Sequence, residues 1–251
     1  MTPKLVSKKI GDVGIFELRG VFSNSWVPRI TSEINHIMES NDCTGVLFNL
    51  RDMEKVDDFG AEAILRLARR HRKCGIWGHN LSAYFIAEHM NPHEPIPVFE
   101  NGGEVIHFFA REFAAKGASA AKERRRFPRL QTALPVNIEV GDLGQIFLFE
   151  LVVTNLSEGG FFGYYLDTDT EELAHRVLDP FDLKMMKLTL RLGKNTTLEA
   201  EGKLLRSESE FSRTPGLAVE FYNLRGSAKE TIRRHLGDAV RPLGEGGEKN
   251  V

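Results

Sequence analysis

Cysteine and tryptophan are scarce in this chain of 251 residues, which holds two of each. Two thiols, Cys43 and Cys74, cannot make a disulfide framework, so the fold must rest on its buried core. Long apolar runs are missing too. None approaches the ~18–20 residues that a membrane span requires, and the opening MTPKLVSKKIGDVG has no signal-peptide apolar stretch. Neither sign of charge prevails: 33 basic residues face 35 acidic ones, for a net charge of −2. This balance excludes a generally basic nucleic-acid binder and a disordered acidic chain. No CxxC, HExxH or Gly-rich P-loop occurs. A metal site needs three or four converging ligands, whereas His71 and Cys74, spaced i, i+3, and His89 and His93 read as surface histidines and a partly buried thiol. Asp167-Thr-Asp169-Thr-Glu171-Glu172 lacks the glycine and spacing of a calcium loop and reads as a helix cap. With no triad pattern either, the expectation is a soluble cytoplasmic protein that is not an enzyme, with no metal and no cofactor.

Apolar residues make up 41% of the chain, ample for two domains of ordinary size. The stretch FAAKGASAAK at 113–122 has no large apolar residue after Phe113 and is the best boundary. The expected organisation is an α/β domain over 1–115, a linker over 116–123, a β-barrel domain over 124–240 and a flexible tail over 241–251. Charge does not distinguish the halves, with 14 basic against 15 acidic residues up to position 121 and 19 against 20 after it. Local clustering therefore matters more than totals.

The first half alternates in pattern. Val13–Gly20 and Gly45–Leu50 read as strands, and Leu81–Ala87 as another. Trp26–Met38 and Asp58–Lys73 carry apolar residues at helical spacing, the latter with its basic residues gathered toward the C-terminal end, where the macrodipole favours them. Pro95–Phe99 reads as a short extended piece and Gly103–Ala114 as a final helix. The alternation implies helices packed on a sheet. The second half shows six short runs of strand character: Leu134–Val140, Phe147–Asn155, Gly160–Tyr165, Lys187–Leu192, Thr197–Arg206 and Gly216–Phe221. Turn signals separate them, which points to a small antiparallel barrel. Ser227–Leu236 reads as a closing helix, with Ser227 as N-cap and Glu230 in the capping-box position.

Two segments of the second half carry candidate chemistry. Glu123-Arg124-Arg125-Arg126-Phe127-Pro128-Arg129 places four arginines within six positions, and Pro128 turns Phe127 away from the helical region. Arginine forks suit phosphate and base edges, though a charge run alone is equally a solvated linker. In Asn155-Leu156-Ser157-Glu158-Gly159-Gly160, short oxygen-bearing side chains can fold back on the backbone, and the glycines permit close approach. Alone, this is equally an ordinary hairpin turn.

Together the segments give Arg125-x-x-x-Arg129 and, about thirty residues on, Asn155-x-Ser157-x-x-Gly160. This pattern, RxxxR followed by (D/N)xSxxG in a short-stranded β domain, resembles the PilZ family, whose members bind cyclic di-GMP. The resemblance runs over roughly 123–237. It implies ligand contacts at Arg125, Arg129, Asn155, Ser157 and Gly160. Arg124, just before the first motif arginine, is a further candidate, suited to a second nucleotide of an intercalated pair. The long segment Asp167–Phe181 departs from the pattern and suggests an inserted helix near Glu171–Val177.

Val46–Ala68, with its loop Asp57-Asp58-Phe59-Gly60, resembles the STAS domain of anti-sigma-factor antagonists over about 4–115. There a buried strand leads into a D-S-x-G loop that opens a helix. Asp58 stands where the phosphorylated members carry a hydroxyl, so the resemblance implies docking to a protein and no phospho-switch here. The region between Ala87 and Pro97 is short for the helix that the family carries there, which implies an altered docking surface. Taken alone, Asp57 or Asp58 reads as a plain N-cap.

The combined expectation is a cyclic di-GMP adaptor. The barrel senses the nucleotide, the α/β domain contacts an unidentified protein partner, and ligand capture pulls the linker and reorients the halves. The alternatives are an interaction protein that binds no nucleotide and uses both domains for docking, and a weak RNA or DNA binder acting through the arginine arm. Nucleic acid is not the expected partner.

Overall fold

A computed structural model describes residues 3–90, 93, 95–114, 129–178, 184–193, 195–207 and 216–240. The expected linker at 116–123 and tail at 241–251 lie outside the described residues. The N-terminal half is a mixed sheet. Strands β1 (Lys4–Ile10) and β2 (Val13–Phe22) form an antiparallel hairpin. β3 (Gly45–Asn49), β5 (Lys73–Trp77) and β6 (Val98–Phe99) follow β2 in parallel, and β4 (Met53–Val56) pairs with the far end of β2.

Side-chain alternation gives the sheet two buried faces. Phe16, Val46, Phe48 and Ile76 meet helices α1 (Val27–Ser40), α2 (Asp58–Arg69) and α3 (Leu81–Glu88) on one side. Ile15, Leu47 and Trp77 face the other way, toward α4 (Gly102–Phe108) and α5 (Ala110–Ala114). The C-terminal half is a closed six-stranded antiparallel barrel: β7 (Leu130–Asp142), β8 (Gln145–Ser157), β9 (Gly160–Tyr165), β10 (Met185–Arg191), β11 (Thr197–Ser207) and β12 (Gly216–Tyr222). Helix α6 (Thr168–Val177) sits between β9 and β10, and α7 (Gly226–Val240) follows β12.

Several expectations change. Leu81–Ala87 is a helix, not a strand. Asn80 caps it by accepting the Ala83 N–H at 3.0 Å, while its amide donates to the carbonyls of Leu50, Arg51 and Met53. The helix for which 87–97 is too short is thus supplied just before it, by α3. The helix begun at Asp58 stops at Arg69, so His71 lies in a turn and Cys74 in β5, not together on one helix. The final helix of this half is two, broken at Phe109. α7 starts at Gly226, so Ser227 lies inside its first turn and does not cap it. The inserted helix near 171–177 is α6, capped by Asp167, which accepts the Thr170 N–H at 2.8 Å.

The halves share a seam. Val152 and Leu166 of the barrel join Ile10, Val13, Ile15, Trp77 and Phe109 in one apolar cluster. Beside it runs a charged network. Glu17, 2% exposed, accepts the Thr168 N–H at 2.8 Å and its hydroxyl at 2.9 Å. Arg19 bridges Glu17 and Asp169, each at 2.9 Å. Lys8 lies 3.6 Å from both Glu17 and Glu171 and donates to the Tyr165 carbonyl. Arg51 reaches Asp167 at 3.1 Å while stacking on Trp77.

A carboxylate so placed holds two cations out of water. Removing it leaves Arg19 to Asp169 and Lys8 to Glu171 but strips both of their most buried partner and leaves the two Thr168 donors unpaired, at a cost of up to about 3–5 kcal/mol. Glu17→Ala is expected to lower the urea midpoint accordingly, and Glu17→Gln, which keeps an acceptor for Thr168, to lower it less. Burial also pushes the Glu150 carboxyl up, against the pull of Arg191 and Arg51. A raised folded value favours folding in acid, and that contribution fades as pH rises from the ordinary carboxylate range through the raised value. Stability measured by urea across that interval should therefore fall more steeply with rising pH in the wild type than in Glu150→Gln.

Candidate functional site

The site begins with a register. β7 and β8 pair so that Leu130 faces Leu156 and Gln131 faces Asn155. One step further along the same antiparallel ladder, Arg129 comes opposite Ser157. The last arginine of the basic segment and the turn at 155–160 thus lie side by side on one end of the barrel. Arg129 is exposed there. Arg124 and Arg125 lie outside the described residues.

A bulge aims the turn's side chains. Phe149, Leu151 and Val153 point into the barrel core while Val152 points out to the seam. The β8–β9 register slips between Val153 and Asn155, making Thr154 an extra residue. An extra residue reverses the parity of the residues after it. Leu156 therefore enters the core, and Asn155 and Ser157 share the outer side, both half-buried. Simple alternation from Leu151 would have placed Asn155 and Ser157 inside.

Ser157 shapes the turn as its residue type suggests. Its Oγ donates to the Gly160 carbonyl at 3.1 Å and accepts the Gly159 N–H at 3.3 Å. The Gly159 carbonyl accepts the Phe221 N–H at 3.0 Å, which ties the turn to β12. Gly160 is required by space: a Cβ there would overlap the Val219 carbonyl oxygen, and its φ is +155°. Only a bare backbone lets β9 run this close to β12.

One pair at the site has no signal in the sequence. Glu158, in the turn, is held by Arg233 of α7 at 2.9 Å. This neutralises the one carboxylate of the turn that lies beside Arg129. α7 is seated there by Ile232, fully buried in the barrel core, and by Leu236. The arrangement suits an anion: a guanidinium on one strand, and an amide side chain, a hydroxyl and glycine backbone on the next.

In the N-terminal half, Asp57 caps α2, accepting the Gly60 N–H at 2.8 Å, while its other oxygen accepts the Asn24 N–H at 3.0 Å. Asp58 is exposed and lies 3.3 Å from His89. Phe59, Leu81 and Tyr84 on these helices are 59%, 86% and 50% exposed. Among the described residues no group of three or more His, Cys, Asp or Glu side chains converges as a metal site, and no helix is long and apolar enough to cross a membrane.

Residues 123–238 match the family model of the PilZ domain, and this stretch of the chain is a PilZ domain. Solved structures similar to parts of the chain include YcgR of Escherichia coli in complex with c-di-GMP, at 15% identity and a TM-score of 0.34, covering 46% of this chain and 46% of that one. The inhibitor of motility MotI/DgrA of Bacillus subtilis is similar at 19% identity and a TM-score of 0.34, covering 46% of this chain and 53% of its own. An anti-sigma factor antagonist from Mycobacterium paratuberculosis is similar to the N-terminal half at 8% identity and a TM-score of 0.38, covering 42% of this chain and 92% of its own. The chain thus spans about half the length of the first two. No curated protein matches it.

The crowding at Gly160 gives a direct check. Gly160→Ala must displace β12 or β9, and strain of this kind costs more than ~1 kcal/mol. Its urea midpoint should drop, whereas Gly141→Ala, with nothing within 4 Å of the added carbon, should leave the midpoint nearly unchanged.

Proposed function

We propose that the chain is a cyclic di-GMP-responsive adaptor: the barrel captures the nucleotide, and the mixed-sheet half contacts a protein partner. The observation that carries this reading is the register that sets Arg129 beside Ser157, with Asn155 and Gly160 in the same turn. Arg124, Arg125 and Arg129 would supply the cationic arm, and Asn155, Ser157 and Gly160 the opposing wall. Cyclic di-GMP brings two phosphates and two guanines, and guanine O6 and N7 are the preferred partners of a guanidinium fork. The PilZ match over 123–238 supports the same ligand class.

The seam gives the message a short route. β9 starts at Gly160, ends at Tyr165 and passes at once into α6, whose Thr168 and Asp169 grip Glu17 and Arg19 of β2. The halves are therefore not beads on a free linker, and ligand capture would act on a seam already formed. The exposed Phe59, Leu81 and Tyr84 offer the sheet half an apolar surface for a partner.

Calorimetric titration with cyclic di-GMP tests the first part. Each charge-assisted contact contributes about 1.5–3 kcal/mol, so Arg125→Ala and Arg129→Ala should each weaken binding at least tenfold. GTP and cyclic di-AMP should bind far more weakly. Equal uptake of all three nucleotides, with log-linear salt dependence, would indicate a nonspecific arginine arm, and no uptake at all would indicate a docking protein. Hydrogen exchange tests the route: saturating ligand should change protection in α6 and β2, and unchanged protection there would remove this route.

A further inference from the structure

The run Arg69-Arg70-His71-Arg72-Lys73 is more basic than a helix end requires. Arg66 and Arg69 already lie in the last turn of α2, where one or two cations meet the half-charge of the macrodipole. The remaining members leave the helix. Arg70 is the C-cap, His71 and Arg72 form the turn that follows, and Lys73 opens β5. Together with Thr44 before β3, and Arg111 and Glu112 of α5, they line an open cleft of about 540 Å³. It lies where the parallel strands begin, at the opposite end of the sheet from the Asp57–Gly60 loop, and none of its lining residues belongs to the barrel.

Four cations there face one carboxylate, in a chain whose net charge is −2. That carboxylate is taken: Lys73 holds Glu112 at 2.7 Å, with its ammonium 4.8 Å from the Phe108 ring centre. Arg70, Arg72 and Arg111 are exposed, and among the described residues none of the three makes an ion pair. Like charges gathered without counter-charge repel one another, an arrangement typical of a site awaiting an anion. His71, half-buried between Arg70 and Arg72, is pushed toward its neutral form by burial and then by Arg70.

We propose that this cleft binds an oligophosphate, either free or as the tail of a nucleotide. Guanidinium groups from two separate elements, a hydroxyl and an imidazole surround the cleft from several directions. A tetrahedral phosphate chain offers acceptors toward all of them, whereas one planar carboxylate satisfies a single fork. The site is independent of the barrel reading.

The test uses the full chain with Arg125→Ala and Arg129→Ala, so that the proposed arm is silent. The probes are inorganic tripolyphosphate, ATP and citrate, followed by calorimetry and by NMR of the histidine rings. Tripolyphosphate or ATP should bind, the tighter of the two revealing the source of the phosphate, and citrate should bind at least fivefold more weakly. The His71 imidazole should become more basic as the anion arrives. Arg70→Gln, Arg72→Gln and Arg111→Gln should each weaken binding at least fivefold, with the Arg→Lys variants intermediate. Phosphate affinity unchanged in these variants, a His71 ring that does not respond, or citrate binding as tightly as tripolyphosphate would each overturn the proposal.

Discussion

Everything proposed for the barrel depends on one antiparallel pairing, between the start of β7 and the end of β8. Leu130 opposite Leu156 and Gln131 opposite Asn155 fix where the chain enters the barrel relative to the turn that precedes β9. A pairing shifted by one residue would bury Arg129's neighbours and expose Leu156. Leu156 is fully buried, so the core itself holds the register. Hydrophobic packing inside the barrel thereby positions polar chemistry on its rim. The same turn is held from outside by the Glu158–Arg233 pair and by the Gly159–Phe221 hydrogen bond. The proposed wall is therefore shaped before any ligand arrives. A preformed wall spares binding the entropy of ordering that surface.

The seam between the halves is the second constraint. Its apolar part, Val152 and Leu166 against Ile15, Trp77 and Phe109, gives adhesion without direction. Its ionic part gives direction. Glu17 accepts from both donors of Thr168 and from Arg19, and Arg19 reaches on to Asp169. Such a network tolerates few alternative arrangements, because any sliding of α6 strands a buried charge. The helix that departs from the family pattern is thus the one that fastens the barrel to the sheet.

Much of this was legible in the residues. All six barrel strands follow from β-branched and aromatic runs between turn signals, and the two-part motif is read directly. The Asp167 cap follows from its residue type. Other features are set by tertiary context. LSAYFIA has the composition of a buried strand, but Asn80, bound to three carbonyls around β4, starts a helix there. β1, β4 and β5 are short or polar, and they are strands because β2 and β3 offer them edges. Thr154 carries no mark of a bulge, yet the outward aim of Asn155 and Ser157 depends on it. Glu17 sits in VGIFELRG as an ordinary polar residue of a strand, and only the docking of α6 makes it the centre of a buried network.

Capture of the nucleotide between Arg129 and the 155–160 turn is tested most directly by an NMR titration of the full chain with cyclic di-GMP. The groups to follow are the Asn155 side-chain amide and the backbone amides of Ser157, Gly159 and Gly160. Large shifts are expected at these groups and at Arg129, with the outer faces of β10 and β11 unaffected. Shifts centred on another surface, with the 155–160 turn silent, would contradict it.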